Sequence, residues 1–267
     1  MKPKKIKSLY LQKPIRNRIT AGYISLCAII LLNLAFSGPV TAQVIRKSEV
    51  RFKASDGLLI SANLYQSRKS NPYIILFHQE QSCKGEFDSI VSRFIKMNYN
   101  CMAVDLRSGD DLGFQKNETA LKAKEDGYTL SLNHSAKDMK AAIDFMYNYS
   151  GKPICLFGSA SSASLALIEG RSNQYVKAVV AFSPGEYFSP EFEIKSVLAG
   201  YPKPVFVGCT AEEFPYLSGI EGFPGPDKVL FKPISGEGQR GTGALLKDNP
   251  SRDEYWLSLL IFFKALQ

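Results

Sequence analysis

The chain has 267 residues, 45% hydrophobic and 12% aromatic, with a formal charge of +8. The sequence shows no internal repeat and no linker, and its length and composition support one large globular core. The charge does not point to nucleic acid: the first 18 residues hold seven cations (Lys2, Lys4, Lys5, Lys7, Lys13, Arg16, Arg18) and no acid, so the chain after Ala42 carries about +1 (8 minus 7), with no basic stripe interleaved with aromatics.

Those cations are followed by an apolar run from Ala21 to Phe36 and by Val40-Thr41-Ala42. This is the layout of a secretory signal, and the run is shorter than the ~20 residues of a membrane-spanning helix. The pattern predicts a signal peptide over 1–42, cleaved before Gln43, an exported chain that is periplasmic or secreted, and membrane association only through that signal. The remaining residues, 43–267, are expected to form a single domain.

Val50 to Lys53 and Leu58 to Ile60 flank Asp56-Gly57, a pair that favours a tight hairpin turn. After this antiparallel opening come six short apolar runs, Ile74 to Phe77, Cys101 to Asp105, Ile154 to Phe157, Val176 to Phe182, Val205 to Gly208 and Val229 to Phe231. Unbroken runs of this length suit strands buried on both faces. Between them, Phe87, Ile90, Val91, Phe94 and Ile95 share one helical face, as do Met139, Ala142, Ile143 and Met146. Trp256, Leu259, Leu260 and Phe263 repeat the spacing behind Ser251 and Glu254, which read as a capping box. Alternating strands and helices predict an α/β fold with a mostly parallel eight-stranded sheet, helices on both faces, and functional residues at the carboxyl ends of the strands.

Four cysteines follow Ala42, at 83, 101, 155 and 209. The last three fall on or at strands expected not to be neighbours, and two strand spacings, ~9.6 Å, exceed the ~7 Å reach of a disulfide. Free buried thiols are expected. Only His78 and His134 exist, neither at ligand spacing to a cysteine pair, so no metal and no other cofactor is expected. His134 reads as part of a helix start.

The stretch Phe157-Gly158-Ser159-Ala160-Ser161-Ser162-Ala163 passes from a strand through small residues into a helix, the shape of a nucleophile elbow. The turn crowds strand against helix, so the positions two before and two after its centre must be small. Ala160 as centre meets that need through Gly158 and Ser162. Ser161 is sterically possible, with Ser159 and Ala163 as flanks.

With Phe77-His78-Gln79, Asp105-Leu106-Arg107-Ser108-Gly109, Asn117-Glu118-Thr119-Ala120 and Phe182-Ser183-Pro184-Gly185-Glu186-Tyr187, this elbow resembles the small exported α/β hydrolases of the dienelactone-hydrolase-like type. The resemblance implies the α/β-hydrolase fold without a cap domain and a catalytic Ser, acid and His in that chain order. Here the nucleophile position reads Ala160, and the loop that should bring the His reads Gly238-Gln239-Arg240-Gly241, with Arg240 in its place. Arginine keeps its proton and cannot act as a general base. The acid position falls to Glu212 or Glu213. Backbone amides of Gln79 and Ser161 are the candidates for an oxyanion hole, and His78 and Glu186 are expected to line the pocket.

Two readings follow. One is a catalytically inactive pseudoenzyme that binds a small ligand or an envelope protein. The other is an active serine hydrolase in which Ser161 or Ser162 attacks and His78 serves as base. The second faces a geometric obstacle, because one residue along a helix turns the side chain by ~100°.

Overall fold

The computed structural model describes residues 44–266, so the predicted signal peptide lies outside the described residues. The sheet has eight strands: β1 (Arg46–Lys53), β2 (Leu59–Gln66), β3 (Tyr73–Phe77), β4 (Asn100–Val104), β5 (Ile154–Ser159), β6 (Val176–Phe182), β7 (Val205–Gly208) and β8 (Lys228–Phe231). Their spatial order is β1-β2-β4-β3-β5-β6-β7-β8. β1 and β2 form the antiparallel hairpin, closed at Ala54–Leu58 with Gly57 at φ +94°, and β2 pairs antiparallel with β4. All other pairs are parallel.

The helices are α1 (Val91–Lys96), α2 (Glu118–Glu125), α3 (Ser135–Ser150), α4 (Ser161–Ser172), α5 (Ile194–Leu198), α6 (Phe214–Ser218) and α7 (Arg252–Ala265). Strand side chains alternate between two separate cores. Ile75 and Phe77 join Met139, Ile143 and Leu167 on one face; Ile74 and Leu76 join Phe94, Trp256 and Phe263 on the other. That double burial is why the inner strands are continuously apolar in sequence. No helix among the described residues is long and apolar enough to cross a membrane.

Two local expectations are corrected. The stripe from Phe87 to Ile95 is buried throughout but is not one helix: a 3-10 turn covers Lys84–Phe87, and α1 begins only at Val91. Buried Asp105 holds that turn by accepting from the Lys84 amide (2.7 Å) and ammonium (2.6 Å), which fixes the entry of the segment from outside it. The capping box at Ser251 and Glu254 does not form. The Glu254 carboxylate instead accepts from the Ile234 amide at 2.7 Å, and the Ser251 hydroxyl donates to the Ser235 carbonyl. Tertiary partners outcompete the local cap.

The loop after β4 is anchored by Arg107, whose side chain is fully buried between Asp138 on α3 (2.6 Å) and Asp56 in the hairpin turn (2.7 Å). All four described cysteines are free and buried. β3 separates Cys101 on β4 from Cys155 on β5. Burial pushes the Cys155 and Cys209 thiols up to about 12, which keeps them protonated and unreactive.

Candidate functional site

At the carboxyl end of β5 the chain reverses through Ala160, with φ +50° and ψ −115°, and enters α4 at Ser161. An alanine in this region is strained, and it persists only because its surroundings fix it. Gly158 is the main constraint. A β-carbon there would stand 2.3 Å from the Ser162 carbonyl oxygen and 2.6 Å from the Ala163 nitrogen, so strand and helix approach only over a glycine. The apex residue is therefore Ala160, and Ser161 has already joined the helix.

The loop carrying Arg240 is clamped onto this turn. The Thr242 amide donates to Ser159 Oγ (2.9 Å), and the Gly241 amide donates to Ser183 Oγ (3.0 Å). Gly241 has φ +55°, and a β-carbon on it would lie 2.5 Å from Ser159 Oγ, 3.2 Å from Gln79 Oε1 and 3.6 Å from the Ala160 nitrogen. Arg240, one residue earlier, pairs through Nε with Glu213 Oε1 at 3.0 Å and donates through Nη2 to the Tyr187 hydroxyl at 3.1 Å. Glu213 Oε2 accepts from Ser183 Oγ (2.8 Å) and the Thr210 amide (3.0 Å). The Tyr187 hydroxyl is pushed up by burial, and Arg240 offsets part of that shift. Of the two acid candidates, Glu213 meets Arg240, while Glu212 is exposed to solvent.

Several expected contributors are committed elsewhere. The His78 ring is buried, with Nδ1 2.7 Å from the Gln79 carbonyl and Nε2 2.9 Å from the Leu106 amide. Nε2 must accept from that amide, so the ring is neutral with its proton on Nδ1, and neither nitrogen is left to take a proton. Ser162 Oγ donates to the His78 carbonyl at 2.6 Å. The Gln79 amide, expected to bind an oxyanion, donates to Glu86 Oε2 at 3.1 Å. Glu186, expected to line the pocket, accepts from the Ile194 amide at 3.0 Å and from the Tyr216 hydroxyl, and so holds α5 against α6. His134 pairs with Ser131 Oγ at 2.7 Å. Ser161 Oγ is buried without a hydrogen-bond partner.

The sequence reading missed Tyr187, Ser183 and Glu86. Tyr187 lies within a stretch already singled out, but nothing local shows that it faces residue 240. Glu86 carries no local signal, since it reaches Gln79 only through the turn that Asp105 holds. Among the described residues no cluster of His, Cys, Asp and Glu could hold a metal ion.

An eight-stranded, mostly parallel sheet with an antiparallel opening pair and a strained turn after β5 defines the α/β-hydrolase fold. Comparison with solved structures agrees. An esterase of Pyrococcus furiosus superposes with a TM-score of 0.63 at 15% identity, covering 83% of this chain and 91% of that one. An alpha/beta hydrolase from Penicillium sp. superposes at 0.63 with 15% identity over 82% and 98% of the two chains. A dienelactone hydrolase from Anabaena variabilis does so at 0.60 with 13% identity over 84% and 99%. No family profile and no curated protein matches the sequence. Likeness at this identity establishes the fold.

Proposed function

We propose that this chain is a non-hydrolytic α/β-hydrolase-fold protein, exported and retained to bind a small ligand or an envelope partner at the face where relatives with the full triad cleave esters. One observation carries the reading: a methyl group occupies the strained apex, and the loop bonded to that turn through Thr242 and Ser159 carries Arg240, which is paired with Glu213. A methyl cannot attack a carbonyl. A guanidinium donates hydrogen bonds but does not accept a proton near neutrality. Loss of nucleophile or base alone lowers turnover by several orders of magnitude.

The rival arrangement, with Ser161 or Ser162 attacking and His78 as base, lacks a proton acceptor because both His78 ring nitrogens are engaged. Arg240 has most of its side chain in solvent, and only Nε and Nη2 carry the pairs described above, so its outer edge remains open to a ligand.

The test is fluorophosphonate labelling of the purified chain from Gln43 onward, with turnover of short-chain p-nitrophenyl esters. No labelling and no turnover are expected. Labelling abolished by one substitution among Ser159, Ser161, Ser162 and Ser164 would locate a nucleophile and overturn the proposal. The companion variant, Ala160→Ser with Arg240→His, is expected to gain labelling at residue 160. Export is tested by N-terminal sequencing of the protein recovered outside the cytoplasm, which should begin at Gln43.

A further inference from the structure

A cavity of about 460 Å³ opens on the other face of the sheet, between α1, α7 and the loop that joins residue 245 to α7. Its wall holds four cations, Arg93, Lys96, Lys247 and Arg252, against one carboxylate, Asp248. The floor is Trp256, itself buried and fixed by donation from Nε1 to the Leu245 carbonyl at 3.1 Å. Arg93 lies over that indole, 5.1 Å from the ring centroid. Cation and ring thus hold each other in place.

The charge in this wall is not neutralised. A single carboxylate, Asp253, serves two guanidiniums, lying 3.2 Å from Arg93 and 3.5 Å from Arg252. Lys96 and Lys247 make no ion pair among the described residues. Counting Asp253 with Asp248, four positive charges meet two negative ones, leaving +2 at one concavity on a chain whose net charge after Ala42 is about +1. Ser89 and Ser92 add hydroxyl donors to the same wall. Arg252 also begins α7, so the positive end of a 14-residue helix borders the cavity. Guanidinium, ammonium and hydroxyl donors around a rigid aromatic floor match a compact, multiply charged anion better than a single carboxylate, because several donors can reach separate oxygens at once.

We infer that this cavity is a second binding site, distinct from the elbow, for a multiply charged phosphate group, a phosphomonoester or a diphosphate. The shared chemistry is the phosphate oxygens, whether they belong to a soluble metabolite or to a lipid headgroup. The volume falls within the ~300–1,000 Å³ usual for ligand sites.

The test uses the chain from Gln43 onward in two arms. Inorganic pyrophosphate is titrated calorimetrically at low and at physiological ionic strength. Separately, flotation is measured with phosphatidylcholine vesicles with and without phosphatidic acid. Binding in at least one arm is expected, weakening with added salt. The double variant Lys96→Glu with Lys247→Glu should weaken it about tenfold or more, as charge reversal at the contact does. The control double variant Lys53→Glu with Lys69→Glu makes the same change in net charge on exposed residues elsewhere and should leave binding unchanged. Pyrophosphate binding alone would identify a soluble ligand, and vesicle binding alone a headgroup. Absence of binding in both arms, or equal loss in the control, would overturn the inference.

Discussion

Replacing Ala160 by glycine tests the strained turn directly. In its present conformation the alanine stands in a region that costs of the order of 1–3 kcal/mol for a residue with a side chain. Glycine removes that cost, taken as about 2 kcal/mol. Against it stand the greater freedom of glycine in the unfolded chain, about 0.7 kcal/mol, and the loss of a half-buried methyl, about 0.4 kcal/mol at ~0.8 for full burial. The difference predicts a gain of about 1 kcal/mol, or ~2–4 °C in Tm for a chain of this size. Urea and thermal unfolding of the chain from Gln43 onward measure it. A loss of about 1 kcal/mol or more would mean that residue 160 is relaxed and that the apex lies at another residue, which would remove the geometric basis for assigning a methyl to the nucleophile position.

The reverse perturbation, Gly158→Ala, should cost about 3 kcal/mol or more, because the new methyl meets backbone atoms of α4 at 2.3–2.6 Å rather than a movable side chain; a cost under about 1 kcal/mol in urea unfolding would show that strand and helix separate easily. Arg107→Met leaves the Asp138 carboxylate buried without its partner and should cost about 3–5 kcal/mol, read by the same assay; a near-neutral effect would refute the anchoring role given to this pair. Hydrogen bonding from Arg107 holds the Asp56 carboxyl well below the usual carboxylate range. Its stabilisation is therefore complete above an ordinary aspartate pKa and is lost as pH falls through the lowered value, so the stability gap between the wild type and Asp56→Asn should narrow in acid; a gap constant between pH 6 and pH 2 would contradict that assignment. Native protein lacking residues 1–42 should show no thiol reactive with Ellman's reagent on the minutes timescale and four after unfolding; a fast native thiol would contradict the burial of all four.

The sheet was legible because strands buried on both faces must be apolar at every position, and Ile154 to Phe157 or Val205 to Gly208 allow little else. The position of the turn could also be read, since only one placement sets a glycine where β5 meets α4 most closely. What stayed hidden depends on groups distant in the chain. Glu212 and Glu213 differ by one residue, and what distinguishes them is the Thr210 amide and the Ser183 hydroxyl, both bonded to the second. The helical stripe from Phe87 to Ile95 encodes burial correctly, yet Asp105 breaks it into two turns. Glu254 matches a cap by spacing, but Ile234 lies near enough to take its carboxylate. His78 could be placed beside the turn by sequence, whereas the loss of its basic nitrogen to the Leu106 amide required the fold.

The clasp between Arg240 and Glu213 also bears on how reversible the present state is. On the proposed reading, a serine returning to position 160 finds no proton acceptor, and a histidine returning to 240 gives up an ion pair and faces a methyl. Triad members act as a unit, so either step taken alone restores almost nothing that selection could favour. On that same reading the guanidinium, kept in place by a carboxylate and a phenol, would work as a ratchet: a change toward hydrolysis would cross an intermediate that neither cleaves esters nor retains the clasp.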